Sequence, residues 1–191
     1  MASHPVSKLT GEQYLNIERA AEFRSEFLDG EMFAMSGGST NHARLQQNLS
    51  GELYVALRGS PCEAFGSDFR VKVSGRMYTY PDVSVVCGEP RVAGDDNLLN
   101  PVVIFEVLSP STERHDRGLK FQHYRTIDSL QDYILVHQDQ VRIEQYTHRP
   151  DHTWTLRDYQ LQQEHLKIDS IGVSIVIERI YDRVKIAPAT S

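Results

Sequence analysis

Two acidic residues in apolar surroundings are the first candidates for chemistry in this chain. Glu106 lies in the most apolar run, VVIFEVLSPST, and Asp82 follows a proline in YPDVSVVCG. Leaving an unpaired ionised carboxylate in an apolar interior is costly, so each acid needs a cation, a proton or a chemical task. Mg²⁺ accepts carboxylate oxygens and keeps several waters, one of which can attack a phosphodiester. The two acids therefore predict metal-dependent phosphodiester hydrolysis.

A helix predicted at 116–126 adds a cation to the two acids. In RHDRGLKFQHYRT, Asp116, Lys120 and Tyr124 recur four residues apart and so share one helix face. A lysine ammonium beside the acids can orient the attacking water and offset the charge that grows in the transition state. We therefore assign a catalytic role to Lys120 together with Asp82 and Glu106, and treat Asp116 and Tyr124 as accessory residues.

Strand alternation predicts how the two acids are presented. A period of two places Asp82 and Ser84 on one face of the first strand, and Ile104 and Glu106 on one face of the second. Carboxylates on neighbouring strands that point the same way repel each other unless a positive charge lies between them. We expect the two strands to be neighbours with their acids converging.

The other elements predict an α/β fold, in which a central mixed β-sheet is flanked by helices. Thr10 can cap a first helix through about residue 19 with a capping box to Gln13, and Asp29-Gly30 can form a hairpin turn. The remaining predictions are a long helix at 40–58 capped by Thr40 or Asn41, strands within 63–88, a polar loop at 91–101, and strands at 132–138, 141–149, 153–160 and 173–180, the last with a terminal helical turn.

Composition bounds the class of protein. The 191 residues are 40% hydrophobic and 24% charged, which favours a single globular domain over 1–191. No apolar run reaches the roughly 18 to 20 residues of a membrane span, and the N-terminal stretch has no apolar centre of a secretory signal, so we expect a cytoplasmic protein. Cys62 and Cys87 lack a metal or disulfide pattern and are expected to be buried thiols. The net charge of −6 argues against a general nucleic-acid coat protein.

The acids and their surroundings resemble a known group of nucleases. Pro-Asp followed by an acid in an apolar strand is similar to the PD-(D/E)XK superfamily, whose members have the restriction-endonuclease-like fold. More narrowly, FLDGEMFAMSGGSTNHARLQQNLSGELYVAL, YPDVSVVC, FEVLSPST and DRGLKFQHY, in that order, resemble the Uma family of putative restriction endonucleases. The resemblance implies Mg²⁺ or Mn²⁺ held by Asp82, Glu106 and the backbone carbonyl of Val107, and hydrolysis of a nucleic-acid phosphodiester. We expect DNA as the substrate, with RNA left open as the alternative.

The same resemblance adds two accessory residues and one departure. Glu31 after the hairpin turn and His42 at the start of the long helix match the family and could approach the acids. The superfamily has a lysine two residues after the second acid, where this chain has Leu108. Lys120 on the following helix would have to replace it. Because two symmetric sites can cut both strands of a duplex, we also expect a homodimer.

Each of these residues also has a structural interpretation. Glu106 could form a buried ion pair without metal, and Asp82 could bond backbone groups at a strand start. Lys120 could be a solvated lysine paired with Asp116, and His42 could serve as a cap or core residue. The competing hypothesis for the whole chain is a catalytically inactive nuclease-fold domain that binds DNA or a protein.

Overall fold

A computed structural model describes residues 8–35, 37–110 and 112–186 of the chain. Residues 1–7, in the stretch expected to lack a secretory signal, lie outside the described residues. The helices are α1 Gly11–Ala20, α2 Thr40–Ala56, α3 in three consecutive parts (Glu113–His115, a π-helical turn Asp116–Lys120, and Phe121–Tyr124) and α4 Ile177–Ile180, with a 3-10 turn at Asp169–Ile171. None of the described helices is long and apolar enough to cross a membrane.

The first two helices begin at side-chain caps. At α1 the predicted capping box is confirmed, since the Thr10 hydroxyl accepts from the backbone of Gln13 and the Gln13 side chain accepts from the backbone of Thr10. At α2 the prediction of Thr40 or Asn41 is wrong, because Ser39 is the cap. The Asn41 amide instead donates to two distant backbone carbonyls, and so holds the start of α2 against the rest of the fold.

The strands form two six-stranded sheets and one hairpin. The first sheet has the order β2-β1-β5-β4-β8-β7, the second has the order β12-β11-β10-β9-β6-β3, and β13 pairs with β14. Their bounds are β1 Ser25–Leu28, β2 Glu31–Ala34, β3 Cys62–Gly66, β4 Arg70–Ser74, β5 Met77–Thr79, β6 Val83–Cys87, β7 Val92–Ala93, β8 Asn97–Leu98, β9 Val103–Leu108, β10 Asp132–His137, β11 Ile143–His148, β12 Trp154–Tyr159, β13 His165–Ile168 and β14 Val173–Val176.

Most predicted strands are confirmed, and two regions differ. Asp29 and Gly30 have the positive φ angles of the expected turn between β1 and β2. The predicted polar loop at 91–101 contains the short strands β7 and β8, because Asn97 and Leu98 are buried against the first sheet. Strand β13 was not predicted. Exposed and buried residues alternate along it, and this pattern identifies a strand only together with its pairing to β14.

The second sheet is covered on both faces. Leu45, Leu49 and Leu53 of α2 are fully buried against one face, whereas Val55 of the same helix is exposed. On the opposite face Tyr124 of α3 packs in a second cluster, with Ile104, Leu108, Tyr133 and Leu135 of the sheet and residues of the first sheet. Strands β6 and β9 therefore lie between two apolar layers.

The cysteines are paired, which corrects the expectation of separate thiols. Cys62 of β3 lies opposite Cys87 of β6, and the two form a disulfide. The 25-residue separation in sequence carries no sign of this contact. It arises from the antiparallel register of the two strands.

Candidate active site

Strands β6 and β9 bring the two predicted acids to one place. The strands are antiparallel neighbours with Val83 opposite Phe105, and continuing this register by one residue sets Asp82 opposite Glu106. Both acids line the same cleft, whose volume is about 560 Å³. The convergence expected from strand alternation is thus observed, and the two residues are largely buried, at 9% and 4% exposure.

The Asp82 carboxylate is fixed from two sides. One oxygen, Oδ2, accepts a hydrogen bond of 2.7 Å from the backbone N–H of Val107, and the other, Oδ1, lies 2.8 Å from His42 Nε2. His42 enters from the first turn of α2, where Gly38 leaves room for it. A Cβ on Gly38 would lie 2.8 Å from Cδ2 of the imidazole. His42 therefore contacts the site as expected, and its hydrogen bond to Asp82 raises its pKa despite partial burial.

Lys120 reaches Glu106 from α3. Its ammonium lies 3.1 Å from Glu106 Oε1, and the Tyr124 hydroxyl donates to the same oxygen at 2.9 Å. The interpretation of Lys120 as a solvated lysine is wrong, because the residue is only 6% exposed. The π-helical turn Asp116–Lys120 ends at this lysine, and such turns often occur at functional sites.

Two further carboxylates surround the same ammonium. Asp116 Oδ1 lies 3.3 Å from Lys120 Nζ, as the four-residue spacing predicts, and Glu26 Oε1 lies 3.0 Å from it. Glu26 was missed by the sequence analysis. The Thr79 hydroxyl and the Tyr80 backbone N–H, the latter at 3.1 Å, both donate to Glu26, because β1 and β5 are paired. The only sequence signal is an acid in the apolar strand segment SEFL.

Glu31 is not brought into this group. It lies at the start of β2 on the far side of the Asp29-Gly30 turn, is exposed, and has Lys8 as an ion-pair partner at 3.9 Å. It does not line the cleft. On the hairpin it is Glu26, five residues earlier, that contacts the predicted catalytic lysine.

The cluster around Lys120 has more acids than cations, and this excess of negative charge shifts the pKa values of its members. Burial raises the pKa of Glu106 well above its usual range, and the nearby carboxylates of Asp116, Asp82 and Glu26 raise it further against the opposing effect of Lys120. Burial alone would lower the pKa of Lys120, but the surrounding carboxylates outweigh it and raise that pKa. The lysine stays charged, and the pKa of Glu106 is shifted in favour of its protonated form.

The donor chemistry of the cleft fits a hard divalent cation. Carboxylate oxygens are the ligands that Mg²⁺ prefers, and a cation added between Asp82 and Glu106 would relieve the repulsion that raises the Glu106 pKa. Val107, whose carbonyl is the third ligand that the family resemblance implies, lines the same cleft. Within the described ranges, however, no three His, Cys, Asp or Glu side chains are already arranged as a metal centre. Binding would require the side chains to adjust.

Known proteins share the fold of this chain and part of its sequence. A solved structure from Anabaena variabilis, described as a putative nuclease, superposes with a TM-score of 0.76 over 93% of this chain and 99% of its own, at 16% identity. This likeness shows a shared fold, the restriction-endonuclease-like fold predicted from the sequence.

Closer relatives occur in Synechocystis. One uncharacterised protein is 40% identical over 181 residues, covering 94% of each chain, and a second is 38% identical over 164 residues, covering 84% of this chain and 92% of the relative. The model of the Uma2 family, described as "putative restriction endonuclease", matches residues 12–178, which include every residue of the site described above. The chain therefore belongs to the Uma2 family.

Proposed function

We propose that this protein is a Mg²⁺- or Mn²⁺-dependent endonuclease that hydrolyses phosphodiester bonds in DNA. One observation carries the proposal: Asp82 and Glu106 occupy opposite positions on neighbouring strands, and the Lys120 ammonium lies 3.1 Å from Glu106. Two acids and one lysine around a cleft are the parts that metal-assisted phosphoryl transfer needs. Membership of a family described as "putative restriction endonuclease" supports the same conclusion and favours DNA.

Each side chain has a distinct role in this proposal. Asp82, Glu106 and the Val107 carbonyl hold the divalent ion, which when bound supplies Lewis-acid chemistry to the scissile phosphate. Lys120 donates hydrogen bonds to the attacking water and to the phosphate oxygens as negative charge grows there. Asp116 is an accessory residue that keeps the ammonium in position.

Two further accessory residues orient the acids. His42 fixes Asp82 through its Nε2 atom, and the Tyr124 hydroxyl fixes Glu106. A side chain held by such a hydrogen bond presents its free lone pairs in one direction, and loss of this support typically lowers metal affinity or activity about 10-fold to 100-fold. We assign both residues to positioning rather than to proton transfer.

The departure at Leu108 has a structural reason. Leu108 is buried in the apolar cluster beneath α3, among Ile104 and Tyr124, where a charged side chain would have to be desolvated. The lysine of α3 reaches Glu106 from above the sheet instead. The chemistry of the superfamily pattern is then kept although the lysine comes from another element.

Assembly follows from the proposed substrate. A duplex has two antiparallel strands related by twofold symmetry, and a twofold homodimer presents two identical sites to them. We therefore extend the proposal to a homodimer. Sedimentation velocity with and without duplex DNA measures this, and a monomer in both conditions would remove the dimer from the account.

Plasmid nicking tests the nuclease proposal. We expect the purified protein to convert supercoiled plasmid to open circles with Mg²⁺ or Mn²⁺ and not with EDTA. Asp82→Asn should abolish this conversion. Asp158→Asn is the matched control, because Asp158 is an acid on β12 that pairs with Arg142 away from the cleft. Equal nicking by wild type and Asp82→Asn would reveal a contaminating nuclease and contradict the assignment.

One observation favours a second candidate function, a nuclease-fold domain that binds DNA or a protein without cutting. Within residues 8–35, 37–110 and 112–186 no preformed metal centre is found, and Glu106 already has Lys120 as its ion-pair partner. Retained oligonucleotide binding together with no cleavage under any divalent metal would select this candidate over the enzyme.

A further inference from the structure

An apolar rim borders the carboxylates of the cleft. Phe33, Ala34 and Met35 at the end of β2 line the same cleft as Asp82 and Glu106. Phe33 is 44% exposed and Met35 is 39% exposed, although both are large apolar side chains. Strand β2 is at the edge of the first sheet, so in the described chain no further strand covers this rim.

An imidazole supports the exposed aromatic ring. The ring centroids of Phe33 and His115 lie 6.0 Å apart, which joins the hairpin to the start of α3 across the cleft mouth. His115 also lines the cleft and has no part in the proposed chemistry. Phe33 is therefore held in place on one side while a large part of it remains open to solvent.

The position of the acids limits what can reach them. Glu106 and Lys120 are 4% and 6% exposed, so a phosphate must enter the cleft to meet them. A volume of about 560 Å³ is in the range of roughly 300–1,000 Å³ usual for pockets that hold small molecules. This space suits a nucleotide or two of one strand.

Charge alone gives a phosphate little reason to enter. Four carboxylates, those of Glu26, Asp82, Glu106 and Asp116, line the cleft with Lys120 among them. Contact between an aromatic ring and a base is attractive independently of phosphate charge, and it tolerates any base because every base has a π-face. The apolar rim offers such a contact beside the acids.

We propose that Phe33, backed by His115, stacks on an unpaired nucleobase next to the phosphate in the cleft, so that the preferred substrate is single-stranded or locally opened DNA. This inference rests on the proposed function, since it names the form of nucleic acid that the same cleft receives. Met35 extends the apolar contact along the rim, and the neighbouring base or sugar lies against it.

Binding by a cleavage-dead protein tests this proposal separately from hydrolysis. All variants carry Asp82→Asn, and fluorescence anisotropy measures their affinity for a labelled single-stranded 12-mer and for its duplex. A 2-aminopurine placed in the single strand reports stacking directly by quenching of its fluorescence. The added changes are Phe33→Ala, Phe33→Tyr and Phe23→Ala, the last as matched control because Phe23 is 79% exposed and does not line the cleft.

We expect tighter binding to the single strand than to the duplex, and quenching of 2-aminopurine on binding. Phe33→Ala should weaken single-strand binding at least about fivefold and remove the quenching, since stacking on one aromatic residue contributes at least about that factor. Phe33→Tyr and Phe23→Ala should bind like the parent. Equal affinity of the Phe33→Ala protein, a preference for duplex, or loss of self-association on Phe33→Ala without loss of DNA binding would overturn the proposal.

The two proposals fail in different ways. If wild type does not nick DNA but the binding results are as expected, the nuclease proposal is wrong and the base contact stands. If wild type nicks DNA with Mg²⁺ and Phe33→Ala leaves binding and quenching unchanged, the base contact is wrong and the nuclease stands.

Discussion

Two buried glutamates on one face of the second sheet differ sharply in their surroundings. Leu135 of β10 lies opposite Glu106 on one side and opposite Glu144 on the other, so both acids point to the face covered by α3. Each is paired with a cation from that helix, Glu106 with Lys120 and Glu144 with Arg117. Both are almost fully buried.

The two glutamates differ in the charge of their remaining neighbours. Glu144 also contacts His137 at 3.1 Å and Arg142 at 3.2 Å, and Arg117 donates a second hydrogen bond to it at 2.8 Å. Burial raises the pKa of Glu144, but the hydrogen bonds from His137 and Arg117 outweigh burial and hold that pKa far below its usual range. For Glu106 the neighbours are further acids, and its pKa is raised.

Glu144 belongs to a structural ion pair, whereas Glu106 lies where we propose that a ligand binds. At Glu144 the protein supplies enough positive charge by itself, and the pair ties β11 to α3. At Glu106 it leaves an excess of negative charge beside a cleft, an arrangement that is unfavourable for stability and common in active sites. We therefore expect substitutions at Glu106 and Lys120 to affect mainly activity. Substitutions at Glu144 and Arg117 should affect mainly stability.

The largest expected effect is on activity when Lys120 is changed to methionine, which keeps the length of the side chain and removes its charge. We expect nicking to fall by about 10²- to 10³-fold, the effect typical of losing one preorganised electrostatic contact in a transition state. Lys72→Met is the control, since Lys72 lies over the Tyr78 ring, away from the cleft. Rates are compared after circular dichroism shows equal helix content, and a loss below about threefold would remove Lys120 from catalysis.

The next effect is on stability. Glu144→Gln should destabilise the protein more than Glu106→Gln does, although Glu106→Gln should have the larger effect on activity. Glu144→Gln should lower the free energy of unfolding by about 2 kcal/mol or more, because it leaves Arg117 and Arg142 without their buried partner. Glu106→Gln should leave it unchanged or raise it, since Lys120 keeps Glu26 and Asp116 and the excess of negative charge decreases. Urea unfolding of both variants measures the ranking, and a larger loss for Glu106→Gln would contradict it.

The smallest effect is the dependence of stability on pH. The folded-state pKa of Glu106 is raised above its ordinary value of 4.5, so the folded protein holds a proton that the unfolded chain has lost, and stability falls as pH rises from about 4.5 through the folded value. The pKa of Glu144 is lowered, so its contribution is present above 4.5 and is lost as the pH falls below it.

Unfolding free energies at a series of pH values test these opposite slopes. Relative to wild type, Glu106→Gln should become progressively more favourable above pH 4.5, and Glu144→Gln should lose its penalty towards low pH. Parallel curves for the two variants would show that the glutamates have the same electrostatic environment, against the structure.

Local patterns explain which parts of the site could be read from the sequence. Alternation in two short strands and a four-residue helical spacing fixed the directions of Asp82, Glu106 and Lys120, because these directions depend only on backbone geometry. Glu26 depends on the pairing of β1 with β5, about 50 residues away in sequence, and no local period reveals it. Glu31 was predicted instead because it matches the family pattern.

Other differences have the same origin in long-range contacts. Cys62 and Cys87 pair because β3 and β6 are neighbours in one particular register, which the sequence does not state. Ser39 rather than Thr40 caps α2, since its hydroxyl accepts from the backbone N–H of His42, and the Asn41 amide donates to the backbone carbonyl of Gln138. The capping preferences of Ser, Thr and Asn cannot distinguish between caps that differ by one position in the sequence.

Calorimetric titration with Mn²⁺ tests most directly whether Asp82 and Glu106 together form a cation site. The account predicts one bound ion in wild type and in Glu144→Gln, and no binding in Asp82→Asn or Glu106→Gln. Equal binding by all four proteins, or none by wild type, would contradict it.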